Sequence, residues 1–267
     1  MIVDDGSNDR TAEIADAAAA QNPWIHVIHR PKHVERDFAG KVRAFNAGYE
    51  SVRDREFEVI GNLDSDTSFE PAYMQYLMSQ FADDPKLGVA GTPFTQDDGY
   101  DSARDSFEGE NYVAGGCQLF RKKCFTEIDG YVPNRAGGID WIAVTKARMK
   151  GWTVRCFAGK RYHHYRPLGT AEKSSFRAFI DYGERAYYLG WSPVWHIVRV
   201  IYRIPRKPVF VGSCGLFWGY CSGWLRQIER PVSQDIVDFH RSEQLKRLRS
   251  ILRSLMRFQR IDSFRTE

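Results

Sequence analysis

The five cysteines of this 267-residue chain, Cys117, Cys124, Cys156, Cys214 and Cys221, include no C-x-x-C pair. An odd, scattered set argues against a disulfide framework or a cysteine zinc site and reads as reduced cytosolic thiols. Excess charge is scarce as well. Thirty-eight Lys and Arg against 34 Asp and Glu leave +4, so no nucleic-acid partner is expected unless the bases cluster, as they do toward the end. Long apolar runs are missing: the longest stretch without a formal charge, Pro208 to Leu225, has 18 residues and only reaches the lower limit for a membrane span. No leader is read ahead of Met1-Ile2-Val3, which runs straight into Asp4-Asp5-Gly6-Ser7, so the chain is expected to open at the end of a strand. The length suffices for one substantial core with a smaller appended unit.

Apolar β-branched runs alternate with helix-forming runs. Ile2-Val3, an acidic turn and a helix from Thr11 to Ala20 make the first half of a βαβ unit, with Asp9 as N-cap. Trp24–His29, Phe57–Leu63, Leu87–Gly91 and Thr153–Phe157 read as strands. Gly40–Val52, a segment from Ser68 to Phe81, Lys122–Glu127 and a segment from Gly137 to Lys150 read as helices, the last closed by Gly151. The polar stretch Pro93 to Asn111 suits a loop or lid. The expected class is α/β.

The strand ending at Leu63 delivers Asp64-Ser65-Asp66. Alternate side chains of an extended segment share a face, so both carboxylates can reach one cavity. Two acids that close need a cation, which makes the tripeptide a candidate Mg²⁺ or Mn²⁺ nucleotide site; a solvated turn capping the next helix is the competing reading.

Beyond Ala158 the character changes. Tyr162-His163-His164-Tyr165-Arg166 is an aromatic and imidazole patch. Pro208–Leu225, with its glycines and aromatics, suits either a segment lying in a membrane interface or a buried helical hairpin packed through Gly215, Gly219 and Gly223. From Arg241 to Glu267 eight bases face three acids, and Leu245, Leu248, Ile251, Leu252 and Leu255 recur at helical spacing. That is a basic amphipathic helix, bound to an anionic leaflet or packed on the domain.

Four features in order, Val3-Asp4-Asp5-Gly6-Ser7, a helix from Lys41 to Asn46-Ala47-Gly48, Asp64-Ser65-Asp66, and Gly137-Gly138-Ile139-Asp140 followed by Arg148 and Gly151, resemble the inverting family 2 glycosyltransferases of GT-A fold. The resemblance runs from Met1 to about His164. The wording Cys117-Gln118-Leu119-Phe120-Arg121 and Gly138-Ile139-Asp140-Trp141-Ile142-Ala143 resembles bacterial exopolysaccharide enzymes. It implies a GT-A domain with a mostly parallel sheet over 1–165 and an aromatic, basic, helical region over 166–267. It further implies transfer from a nucleotide sugar to a glycan or lipid-linked hydroxyl, with inversion, at the inner face of the cell membrane.

In residue terms, the resemblance puts Asp4, Asp5 and Ser7 at the nucleobase and ribose, with a lean to uridine because a carboxylate accepts the uracil imide N–H. Lys41 falls near the diphosphate and Asp64 near the ribose. Asp66, with His163 or His164 ranked equally, would hold Mg²⁺ or Mn²⁺. Asp140 is the general base, the second member of an acidic pair whose first position is Ile139 here, with a plain N-cap as the alternative role. Gly116, Cys117 and Trp141 would line the acceptor side. The family's initial strand and turn are not present before Asp4, so a gap or open edge in the sheet is expected, together with a competing possibility: an inactive nucleotide-binding or membrane-associated assembly protein.

Overall fold

A computed structural model describes residues 1–31, 38–105, 109–134, 137–166, 175–205 and 209–257. Pro167, Arg206, Lys207, Pro208 and the tail residues Arg260, Asp262, Arg265 and Glu267 lie outside them. The chain opens with β1 (Ile2–Asp4), α1 (Thr11–Gln21) and β2 (Val27–His29), and β1 and β2 pair in parallel with Asp4 opposite His29. The N-cap of α1 is Arg10, not Asp9, which stands one residue earlier and accepts the Thr11 N–H at 3.0 Å. Helix α2 (Phe38–Glu50) crosses β1 at Gly48, where a Cβ would stand 3.0 Å from Val3 Cγ2.

β3 (Val59–Leu63), β4 (Thr67–Ser68), α3 (Tyr73–Asp83), β5 (Leu87–Gly91) and β6 (Phe94–Thr95) follow. After the short α4 (Ser102–Asp105) and a 3₁₀ turn come β7 (Cys117–Arg121), α5 (Lys122–Glu127), α6 (Ile139–Met149), β8 (Thr153–Cys156) and β9 (Tyr162–His164). The central sheet runs β3-β7-β5-β8, with β7 antiparallel to both neighbours and β5 parallel to β8. The sheet is therefore mixed rather than mostly parallel, because β7 enters from the opposite end between β3 and β5. Among the described residues no ladder joins β1-β2 to it. The stretch read as a loop, 93–111, supplies β6, which joins β9 and β4 in a small second sheet.

Strand alternation fixes the two faces of the central sheet. Val89 lies opposite Phe120 and Ala90 opposite Leu119. The first pair enters a core with Val42, Phe125, Val144 and Val154; the second enters another with Tyr73, Leu77 and Tyr162. Phe45, Phe120, Phe125 and Tyr131 meet at ring-centroid separations of 5.0–5.9 Å, mostly edge to face.

Four helices complete the described chain: α7 (Ser175–Tyr188), α8 (Pro193–Arg203), α9 (Val211–Leu225) and α10 (Gln234–Met256). Trp141 and Ile142 of α6 share a third core with Tyr187, Leu189, Trp191 and Ile236, so the C-terminal helices sit directly on the helix that carries Asp140. α7 and α9 approach backbone to backbone: a Cβ on Gly219 would strike the Ile180 carbonyl, and one on Gly183 the Leu216 carbonyl. Among the described residues no helix is long and apolar enough to cross a membrane.

Candidate active site

The first corner is the turn after β1. Asp4 is 6% exposed, and both its carboxylate oxygens accept within the protein, Oδ1 from the Ser7 N–H at 3.0 Å and Oδ2 in a 3.1 Å contact with His29 Nδ1. His29 Nε2 reaches Asp16 Oδ1 at 3.0 Å. Hydrogen bonds from Ser7, then from His29, hold the Asp4 carboxyl below its ordinary value, and the bonds to Asp4 and Asp16 raise His29. Asp4 is thus buried and braces the turn through the Ser7 N–H and His29, while Ser7 is exposed. Asp5 is the half-exposed acid, with Arg30 Nη1 2.7 Å from its Oδ1.

The second corner is built on the Gly115-Gly116 backbone. The Gly115 carbonyl accepts from Lys41 Nζ at 3.0 Å and from Asn62 Nδ2 at 2.6 Å, and the Gly116 carbonyl accepts the Asp64 N–H at 2.9 Å. Lys41 Nζ also lies 2.5 Å from Asp64 Oδ1. On the other side, the Gly115 N–H donates to Asp140 Oδ2 at 3.1 Å. Two residues of backbone therefore connect the acids after β3 with the acid of α6. A Cβ at Gly115 would stand 3.1 Å from the Asp140 Cβ, a tight contact, and one at Gly116 would meet the buried Tyr162 hydroxyl at 2.7 Å, closer than side chains approach.

Asp140 sits in the first turn of α6, and the N-cap is Gly138, not Asp140. Gly137 and Gly138 both have positive φ, +90° and +80°, which a side chain would strain. Tyr112 donates its hydroxyl to Asp140 Oδ2 at 2.6 Å, a partner that no local pattern announces. Ile139, in the place of the missing first acid, is buried in the first core.

Asp66 follows two residues after Asp64, and the second sheet sets β9 beside it, with Thr67 opposite His164. His164 Nδ1 lies 2.6 Å from the Arg166 carbonyl, which can only accept, so Nδ1 carries a proton and Nε2 is the nitrogen turned toward Asp66. That Nε2 is 3.7 Å from Asp66 Oδ1, and the donor atoms of Asp64, Asp66 and His164 all lie within 4.8 Å of one another. Two carboxylates and an imidazole are a donor set that Mn²⁺ or Mg²⁺ accepts. Arg166 Nε, 3.7 Å from Asp66 Oδ2, adds a cation that sequence reasoning missed.

Three expected residues fall outside this arrangement. His163, next to His164 on a strand, points the other way, with Nε2 3.0 Å from Asp97 Oδ1. Cys117 is 0% exposed beneath Tyr73, and burial pushes its thiol up to about 11. Trp141 is 4% exposed, its ring edge-on to His240 at 4.6 Å, so it belongs to the core between α6 and α10 and not to an acceptor surface.

A model of the family "Glycosyl transferase family 2" matches residues 1–137, just over half of the chain. The chain belongs to glycosyl transferase family 2. Among curated proteins, this family 2 member is 35% identical over 78 residues to an undecaprenyl-phosphate mannosyltransferase of Micrococcus luteus, covering 29% of this chain and 30% of that protein. It is 32% identical over 94 residues to a poly-beta-1,6-N-acetyl-D-glucosamine synthase of Staphylococcus aureus, covering 35% of this chain and 21% of that protein. The matches thus span less than a third of either relative. Among solved structures, the mannosyltransferase PcManGT of Pyrobaculum calidifontis, in complex with GDP-Man and Mn²⁺, superposes with a TM-score of 0.52 at 13% identity over 95% of this chain and 72% of that one. GalNAc-T7 with UDP, GalNAc and Mn²⁺ gives a TM-score of 0.52 at 14% identity over 91% and 47%. These likenesses identify the GT-A fold.

Proposed function

We propose that the chain transfers a sugar from a nucleoside diphosphate sugar, with UDP favoured, to a glycan or lipid-linked hydroxyl with inversion at the anomeric carbon, in polysaccharide synthesis. The observation that carries this reading is the Gly115-Gly116 link, which holds an acidic, imidazole-bearing corner on one side and a lone helix-borne carboxylate on the other.

Asp5, half-exposed beside Arg30, is the acceptor for a base N–H, while buried Asp4 and the Ser7 N–H keep its turn in shape. Lys41 neutralises Asp64 and presents positive charge toward the diphosphate. Asp66 and His164, with Asp64 beside them, would hold Mn²⁺ or Mg²⁺. Bound there, the ion supplies charge neutralisation for the departing diphosphate.

Asp140 takes the proton of the acceptor hydroxyl as its oxygen bonds to the anomeric carbon. The bond from that carbon to the phosphate oxygen breaks, and its electron pair leaves with the nucleoside diphosphate. Tyr112 and the Gly115 N–H fix Asp140 Oδ2 for this task. The Mn²⁺ complexes of the two structural neighbours and the glycan and lipid-phosphate names of the two relatives support the reading.

The test is calorimetry of UDP with and without Mn²⁺ on the wild type and Asp66→Ala, then turnover of UDP-sugars with Asp140→Asn. Metal-dependent binding lost in Asp66→Ala, and turnover about 10²- to 10⁴-fold lower in Asp140→Asn with binding retained, is the expected result. UDP binding without turnover by the wild type would favour the inactive nucleotide-binding alternative, and no metal-dependent binding at all would overturn the donor site.

A further inference from the structure

Helix α9 carries two different faces. Its glycines at 212, 215, 219 and 223 pack against α7 and its neighbours. On the opposite side Val211, Cys214, Trp218 and Leu225 fall at i, i+3, i+7 and i+14, one stripe of a 3.6-residue repeat, flanked by Phe217 and Trp224. All six are exposed, Trp218 by 61%, Trp224 by 59% and Leu225 by 68%, and no charged residue occurs anywhere in α9. Neighbouring α8 exposes a second apolar stripe, Val194, Ile197 and Ile201, at i, i+3 and i+7. Apolar surface on this scale is a contact site for something.

The charge of the region selects the occupant. Between residues 193 and 257 stand twelve Lys or Arg and four Asp or Glu. Since the whole chain carries +4, everything outside this region is net negative. The exposed bases of α10, among them Lys246, Arg249 and Arg253, alternate with exposed Leu245, Leu252 and Leu255. Within 241–257 the only acid is Glu243, which Arg148 of α6 already holds at 2.9 Å. A second copy of the chain would bring two such positive regions together, whereas an anionic leaflet attracts each Lys or Arg near it. At 15 residues α9 is about 22 Å long, short of the roughly 30 Å hydrocarbon core, and its packed glycine face already has a protein partner. It therefore lies along a membrane surface instead of crossing it, with tryptophans at the depth where they partition well.

We infer that the exposed aromatic face of α9, within this basic C-terminal helical region, docks the protein on an anionic lipid surface. The inference stands apart from the sugar-transfer reading, because it uses none of the site residues. Its consequence for that reading is geometric: the docked helices pack on α6, where Leu189 of the bundle closes on Gly138 and Tyr188 donates to the Gly137 carbonyl at 3.3 Å. The helix carrying Asp140 is thereby held by the end of α7, the helix against which the lipid-facing α9 packs.

The experiment is vesicle flotation of the full chain without Mn²⁺ or nucleotide, using phosphatidylcholine vesicles with and without phosphatidylglycerol. Wild-type protein should float with the anionic vesicles and far less with the neutral ones, and Trp218→Glu with Trp224→Glu should lower the bound fraction at least about tenfold. Both side chains are exposed, so circular dichroism of the variant should match the wild type. Cys214, on the same stripe, supplies an independent readout: anionic vesicles should slow its maleimide labelling in the wild-type protein about tenfold or more. No flotation of the wild type, flotation of the variant equal to wild type, or unprotected Cys214 would each overturn the proposal. So would a concentration-dependent dimer abolished by the same substitutions in the absence of vesicle binding, which would assign the face to a second copy.

Discussion

His164→Ala and His163→Ala form the sharpest test of the metal corner, because two chemically identical neighbours are assigned opposite fates. The structure turns His164 Nε2 toward Asp66 and commits its Nδ1 proton to the Arg166 carbonyl, while His163 faces Asp97 and Thr95 on the other side of β9. Even residues that merely support a metal ligand typically cost about 10- to 100-fold in affinity when removed. Loss of one of three donors should cost at least that, about 1.4–2.7 kcal/mol. The corresponding figure for His163→Ala is within about twofold of wild type, since its partner is a surface acid. Mn²⁺ binding in the presence of UDP, followed by calorimetry, measures both. His164 is buried and lies 5.7 Å from the Phe94 ring, so its removal also leaves a cavity, and the melting temperature of each variant must be recorded alongside. Equal losses in the two variants, or a larger loss in His163→Ala, would refute the assignment of β9 register to metal binding.

Three other outcomes follow from the same geometry. Tyr112→Phe removes the 2.6 Å bond to Asp140 Oδ2, a hydrogen bond to a charged group worth about 1.5–3 kcal/mol, so kcat should fall at least about tenfold while KM for the donor sugar stays near wild type; an unchanged kcat, or a KM effect alone, would remove Tyr112 from its positioning role. His29 titrates above its ordinary 6.5 and Asp4 below its ordinary 3.8, so their link stabilises the first turn fully between those values. It is lost as pH rises through the folded His29 value and, separately, as pH falls through that of Asp4. Melting temperatures from pH 5 to 9 should show this alkaline loss in wild type and a flatter curve in His29→Gln, and parallel curves would contradict it. Gly219→Ala drives a methyl group into the Ile180 carbonyl, and overpacking between two helix backbones should cost at least about 2 kcal/mol in urea unfolding; a neutral effect would mean that α7 and α9 do not touch along this edge.

Asp64 and Asp66 were legible as a pair because alternate side chains of an extended segment share a face, whereas Asp140 stood out only through the family resemblance, an Asp in the first turn of a helix being favourable in any protein. The choice between His163 and His164 was not legible. Alternation makes them face opposite ways, but only the pairing of Thr67 with His164, across almost a hundred residues, decides which one looks at Asp66. β7 defeated the parallel expectation for a related reason: Cys117, Gln118, Leu119 and Phe120 are all buried, and a strand buried on both faces carries no sign of its direction. Gln118 survives there because Tyr131 and the Val113 carbonyl satisfy its amide at 2.6 and 2.8 Å. Trp141 was misread because α6 is buried almost all round, and the partner that covers the tryptophan, His240 on α10, is a hundred positions away with no local trace in the sequence.

Helix α9 shows why two opposed readings can both rest on real signals. Glycines spaced three and four apart argued for a buried hairpin, and Trp, Phe and Leu without charge argued for a membrane interface. Treated as properties of a segment these exclude each other. Treated as properties of a helix with 3.6 residues per turn they occupy different sides, the glycines against Ile180 and Phe179 of α7 and the aromatics outward. The glycine edge then has a function for the outer one: by letting α9 lie almost backbone to backbone on α7, it seats the aromatic stripe on a rigid base. Replacing those glycines should weaken lipid docking even though none of them touches lipid, whereas replacing Trp218 should weaken docking and leave the melting temperature unchanged.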